Sequence, residues 1–387
     1  MHSCIKNHFI MGKTFKAYMI LFSLLFVFCS DKIHNHQVLD KTNFQTSIGG
    51  NKTDLFVLEN KNLKVFITNY GARIVSLIVP DRLGNPLDVV LGFKSIDDYL
   101  KANEPYHGAT IGRYANRISK GVFSLDATEY NLPVNNGVNH LHGGPNGFHN
   151  KIWNLVSIAK EKIVMSLNSE DGEMGYPGNL DVELTYQIVN NQLEISYKAK
   201  TDKKTPINLT NHSFFNLAGE GNGTINNHIL KLNSDFYIPV DSTLIPLGEK
   251  RPVDDSPFDF RIPKSIGSEI DSSGNQIVYG GGYDHNFILN KLVQDSLSYA
   301  ATVFEPTKGV KMEIFTTEPG IQFYSGNFMD GSDVGKYGKS FLYRESFALE
   351  TQHYPDSPNN QSFPNVYLFP FETYNSLSVY KFSVNGK

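Results

Sequence analysis

Apolar and polar residues alternate along most of the chain with a period of two, the mark of strands with one face in a core and one in water. Leu63, Val65 and Ile67 alternate with polar or outward positions. Leu180, Val182, Leu184, Tyr186 and Ile188 alternate with Asp181, Glu183, Thr185 and Gln187, and past Asn190-Asn191 the pattern resumes at Leu193, Ile195, Tyr197 and Ala199. Two amphipathic strands around an Asn-Asn turn predict a β-hairpin. Helix-like pieces are short, as from Ser95 to Lys101. No linker, shift in composition or internal repeat divides residues 44–387. The pattern therefore predicts an all-β fold, a single large antiparallel β-sandwich.

Before that region the pattern changes. Lys6, Lys13 and Lys16 precede an apolar run from Ala17 to Phe28, too short for a comfortable transmembrane helix and typical of a secretory signal over residues 1–29. Met11 is an alternative start. Cys29 followed by Ser30-Asp31-Lys32 predicts a lipid-modified cysteine, although Phe28 is bulky for that motif, and cleavage by an ordinary signal peptidase competes. Residues 30–43 then form a polar tether. The expected location is outside the cytoplasm, as a periplasmic or membrane-anchored lipoprotein of a bacterium. The other cysteine, Cys4, lies in the leader, so the mature chain has no disulfide within itself.

Composition narrows the partners. A formal charge of −4 from 35 basic and 39 acidic residues gives nucleic acid no footprint. The 32 Gly and 18 Pro fit a fold with many turns.

Several polar residues stand where a strand should bury them. Glu350 ends the apolar stretch Ser346-Phe347-Ala348-Leu349, just before His353-Tyr354-Pro355, and a carboxylate there is costly unless it is paired or used. His212 lies among Asn208, Thr210, Asn211 and Ser213, as a satisfied core histidine or as a general acid. His140 and His142, two apart, would point the same way on a strand, but a third zinc ligand is missing. Asp284 sits between Tyr283 and His285-Asn286-Phe287, where polar groups and aromatic faces suit a sugar and the preceding glycines suit a turn. Arg117 beside Asn116 offers a fork of donors to ligand oxygens, or a surface ion pair.

Taken in order, these stretches resemble the aldose 1-epimerase (galactose mutarotase) family over about residues 44–387. The resemblance is carried by Asn69-Tyr70-Gly71-Ala72, Gly112-Arg113-Tyr114-Ala115-Asn116-Arg117-Ile118, Leu141-His142-Gly143-Gly144 and Thr210-Asn211-His212-Ser213-Phe214-Phe215-Asn216-Leu217. It continues through Tyr283-Asp284-His285-Asn286-Phe287, Pro319-Gly320-Ile321-Gln322-Phe323-Tyr324 and Leu349-Glu350-Thr351-Gln352. The resemblance implies a mutarotase-like supersandwich with the sugar in an open cleft. It implies His212 as general acid and Glu350 as general base, with Asn116, Arg117, His142, Asp284 and Gln322 binding the sugar. It implies an isomerase of free hexoses that needs neither cofactor nor metal. His149 departs from the family, which often has an acidic residue there. The implied chemistry asks for an ionised Glu350 and a protonated His212 at rest. A glycosidase using Asp284 and Glu350, a non-catalytic sugar binder and a hexose-phosphate epimerase are the alternatives. The last lacks a cluster of Arg and Lys around the motifs to receive a phosphate.

Overall fold

Strand pairing organises the chain, as the alternation predicts. In the computed structural model, which describes residues 39–385, the Leu180–Val189 and Gln192–Thr201 strands form the expected hairpin. They pair in register from Leu180↔Thr201 to Val189↔Gln192, and Asn190 takes the positive φ (57°) that such a tight turn requires. Ile96–Lys101 and Asn275–Gly280 are the two α-helices among the described residues. Ser95 caps the first, its hydroxyl accepting the Asp98 N–H at 3.1 Å.

The hairpin belongs to a nine-stranded antiparallel sheet. Its order is Asn154–Ala159, Lys162–Ser169, the hairpin, Tyr374–Val384, Val310–Thr316, Ser298–Phe304, Ile229–Leu232 and Lys264–Ser265. The C-terminal strand thus fills the middle, between segments more than a hundred residues apart. A four-stranded sheet is built from Leu55–Glu59, Lys64–Thr68, Arg73–Pro80 and Pro86–Asp88.

A five-stranded sheet, in the order Arg251–Pro252, Phe236–Tyr237, Asp284–Ile288, Gly320–Tyr324 and Ala348–Gln352, carries three of the residues singled out in the sequence, Asp284, Gln322 and Glu350. Its two faces differ completely. His285, Phe287, Ile321, Phe323 and Leu349 point one way, and the apolar ones share a core with Tyr197, Ile314 and Tyr380 of the large sheet. Tyr380 ties the layers by donating to Leu349 O at 3.2 Å. The other face carries Asp284, Asn286, Gln322, Glu350 and Gln352, all buried. Because side chains alternate along a strand, one register decides both faces: Asn286, Gln322 and Glu350 form a single rung across three strands.

Candidate active site

The segment after Asn208 lies along the polar face. Phe215 and Phe347 exchange backbone hydrogen bonds of 2.7 and 2.9 Å in an antiparallel bridge. Three residues further along each segment, that register sets His212 opposite Glu350. Their side chains meet at 3.5 Å, from His212 Nε2 to Glu350 Oε1, with both groups buried.

A second set of strands brings the remaining residues. Arg117–Ile118 pairs with His140–Leu141, and just beyond the pairing Asn116 (φ 62°) and His142 (φ 53°) both turn left-handed. Asn116 O accepts from His142 N at 3.0 Å, and Asn116 N donates to His142 Nδ1 at 3.1 Å. That second bond leaves the His142 hydrogen on Nε2, so the ring acts as a hydroxyl donor. Arg117 donates from Nε to Asn136 Oδ1 at 3.0 Å and approaches Asp284 Oδ2 at 3.8 Å through Nη1. Gln322 Nε2 donates to Asp284 Oδ1 at 2.7 Å. All seven residues singled out in the sequence therefore gather around one cleft of about 860 Å³; six line it, and Gln322 supports Asp284 from the next strand.

Three local expectations change. Asp284 begins a strand rather than a turn. Arg117 is buried, so it is no surface ion-pair donor. His140 and His142 do not share a face, because the left-handed turn at His142 ends the strand. His140 has both nitrogens engaged, Nδ1 with Pro133 O at 2.7 Å and Nε2 with Tyr176 OH at 2.8 Å. Ligand atoms of His142, His212 and Glu350 do lie within 4.8 Å of one another. A metal there would need the His142 Nε2 lone pair, which the bond from Asn116 N–H to Nδ1 assigns to hydrogen. His149 also proves to line the cleft, its ring 4.8 Å from that of Tyr106.

Sequence reasoning missed Tyr106 and Glu104. The Tyr106 ring lies 4.6 Å from His142 and 5.8 Å from His212, forming an aromatic wall. Glu104 adds a further carboxyl to the lining, its Oε1 accepting the Tyr106 N–H at 3.2 Å. Neither carries a periodic signal; both sit in the irregular loop around Pro105, where only the resemblance could have pointed.

The protonation states reverse the sequence-based requirement. Burial, then the negative charge of Asp284, pushes Glu350 well above the usual carboxylate range; Arg117 pulls the other way and Glu104 adds to the rise. Burial lowers His212 to about 3, with Arg73 adding to the shift. Burial therefore favours a protonated carboxyl against a neutral imidazole over an ion pair at the 3.5 Å contact. Asp284 is raised by burial, against Arg117 and Gln322. Glu104 is lifted to about 7, chiefly by burial.

A β-sandwich whose polar face sets an imidazole against a carboxyl, ringed by amides, a guanidinium and an aromatic wall, defines a carbohydrate-active enzyme of the acid–base kind. The family model for aldose 1-epimerase matches residues 54–381. A galactose mutarotase from Sus scrofa is 43 % identical over 336 residues, covering 87 % of this chain and 96 % of the pig protein. An aldose 1-epimerase from Escherichia coli K12 is 36 % identical over 331 residues, 85 % of this chain and 94 % of that protein. Among solved structures, a GalM/aldose epimerase homologue from C. elegans superposes with a TM-score of 0.80 at 32 % identity, covering 86 % of this chain and all of that one. A galactose 1-epimerase from Lactobacillus acidophilus gives 0.77 at 29 % identity, covering 88 % and 97 %. The chain belongs to the aldose 1-epimerase family.

The same relatives correct the expected location. Galactose mutarotases of mammals, 43 % identical to this chain, are cytosolic, which contradicts an exported bacterial lipoprotein anchored through Cys29. The leader of residues 1–29 that prompted the expectation, and the tether up to residue 38, lie outside the described residues.

Proposed function

We propose that this mutarotase interconverts the α and β anomers of free hexoses such as D-glucose and D-galactose through His212 and Glu350. Asn116, Arg117, His142, Asp284 and Gln322 hold the sugar, and residues 44–387 act as one catalytic unit. The observation that carries the reading is the buried 3.5 Å pair, in which His212 Nδ1 and Glu350 Oε2 have no partner in the protein. Groups left so poorly satisfied are available for work on a ligand.

The pair holds one mobile proton. Carboxyl with neutral imidazole, and carboxylate with imidazolium, differ only by its transfer across the contact. Once the proton is on His212, Glu350 takes the proton of O1 while His212 gives its own to O5. The C1–O5 bond breaks, C1=O1 forms, and the ring opens. Rotation about C1–C2 presents the other face. On closure Glu350 returns its proton to O1 and His212 recovers the one on O5. Each proton transfer contributes roughly 10²- to 10⁴-fold. Nothing is oxidised and no group leaves, so the chemistry calls for no redox or carrier cofactor.

The other residues grip the hydroxyls away from C1. His142 donates through Nε2, Arg117 offers its guanidinium, and Asp284 accepts. The carboxyls of Glu104, Asp284 and Glu350 face one guanidinium, that of Arg117, which favours a neutral sugar over a phosphorylated one. Asp284 is already held by Arg117 and Gln322, which counts against a glycosidase pair with Glu350.

Polarimetry on freshly dissolved α-D-glucose and α-D-galactose tests the proposal. Wild-type enzyme accelerates the drift in rotation, whereas Glu350→Gln and His212→Asn each cut that acceleration by roughly 10²- to 10⁴-fold while remaining folded. Wild-type rates in either variant would sink the assignment.

A further inference from the structure

The polar face continues inward past the catalytic pair. The Thr210–His212 strand lies against Ala348–Gln352, and Thr210 and Gln352 stand two residues beyond His212 and Glu350 at the inner ends of the two strands. Asn208 fastens the inner end, its Oδ1 accepting from His353 N at 2.9 Å and its Nδ2 donating to His353 O at 3.2 Å.

Gln352 is fully buried, yet neither its Oε1 nor its Nε2 has a partner in the protein. Thr210 Oγ1, Asn286 Oδ1, Gln322 Oε1 and Glu350 Oε2 are likewise buried and unpartnered, which makes six such atoms on adjoining positions. Gly320 shares a rung with Gln352; a methyl group on it would come within 2.8 Å of the Asn286 amide and 3.0 Å of the Tyr354 ring. The missing side chain is what lets the Asn286 amide lean over Gly320, towards the Gln352 rung. Buried polar atoms are expensive to leave bare. These six cannot satisfy one another: with the Glu350 proton on Oε1, facing His212, four of them are acceptors of the carbonyl or carboxyl kind, and only the Gln352 amide and the Thr210 hydroxyl donate. The group is short of donors, and a water molecule supplies two.

We propose that Thr210, Asn286 and Gln352 form a binding site for an internal water that donates a hydrogen bond to Glu350 Oε2 from the side away from the sugar. The proposal rests on Glu350 being the base. The water favours the carboxylate form and so opposes the effect of burial, keeping the base able to ionise within the cycle. Thr210, Asn286 and Gln352 are then positioning residues that never touch substrate.

A high-resolution crystal structure and the pH profile of kcat/KM test this together. The wild-type structure shows an ordered water within hydrogen-bond distance of Glu350 Oε2 and Gln352. Gln352→Met, similar in shape but apolar, loses that water, and the alkaline limb of its profile, where Glu350 ionises, moves up by about one pH unit, the scale of one hydrogen bond to an ion, while the acid limb, set by His212, stays in place. Thr210→Val, which changes only a hydroxyl into a methyl, moves the alkaline limb the same way by less and covers the case in which Gln352→Met fails to fold. Density showing Thr210, Asn286 and Gln352 bonded directly to one another, or an alkaline limb that stays in place in the folded variants, overturns the proposal. Full activity in Glu350→Gln would instead defeat the base assignment, and the density would still decide the water site.

Discussion

Two histidine–carboxylate pairs lie at opposite ends of the same few residues, and they behave in opposite ways. Glu350 meets His212 at 3.5 Å, whereas His353, three residues on, meets Glu318 at 2.7 Å. Burial acts against charge in both. At Glu318 it pushes the pKa up, but the charge and hydrogen bond of His353, with hydroxyl donors from Ser376 and Tyr374, outweigh it and hold the carboxyl below its usual range. His353, pushed down by burial, is raised overall by Glu318. Glu350 has no such donors and has Asp284 and Glu104 as negative neighbours, so burial wins there. The difference lies in satisfaction: a saturated pair becomes an ion pair that holds structure, and a starved pair keeps a proton that it can move.

The same substitution on the two carboxylates should give opposite results. Glu350→Gln is expected to lose roughly 10²- to 10⁴-fold in rate and to melt no lower than wild type, since it removes a carboxyl that burial disfavours. Glu318→Gln is expected to lose about 3 kcal/mol of stability while the folded fraction keeps its kcat. Denaturant unfolding beside polarimetry separates the two, and an inactive but stable Glu318→Gln would erase the contrast.

Acid sharpens it further. His107, His140, His142, His149, His212, His228 and His285 are all held neutral, with burial the leading cause. Their folded pKa values lie below the unfolded value of 6.5, so below that pH the unfolded chain binds the extra protons and stability falls. Each imidazole contributes about 1.4 kcal/mol per pH unit until its folded value, about 3 for His212, is reached. Glu104, Glu220, Asp284, Glu345, Glu350 and Asp356 work in the other direction. Their raised folded values give stability that is full below their unfolded values and is lost as pH rises through about 7 for the first two. The imidazoles outnumber them, so the melting temperature should drop from pH 6.5 downward and fastest below 4.5, where the glutamates no longer compensate. A melting temperature that is flat with pH would contradict the neutral imidazoles.

The smallest effect concerns His107. It lies buried against Phe93, Phe214 and Phe341, with both nitrogens unpartnered. His107→Phe is expected to raise stability by about 1 kcal/mol at unchanged kcat, measured by denaturant unfolding.

How much of this could be read from residues alone follows from what is local. The 180–199 hairpin was legible because alternation and an Asn-Asn turn lie within twenty residues. The central place of the Tyr374–Val384 strand was not, because pairing between distant strands leaves no trace in either one. The motif residues were legible in order and identity, yet the left-handed turn that parts His140 from His142 left no mark in their spacing. The charge states were misjudged because they depend on burial and on Glu104 and Asp284, which come from other segments.

Protonation of the two histidines can be observed directly. Nitrogen NMR on isotopically labelled histidine, assigned with His212→Asn and His353→Asn, distinguishes imidazolium from neutral imidazole. At pH 6.5, the ordinary histidine midpoint, the ligand-free enzyme should show His353 predominantly as imidazolium and His212 as neutral. An imidazolium signal from His212 under those conditions would mean that the His212–Glu350 pair rests as an ion pair like its neighbour, and the distinction drawn between them would fall.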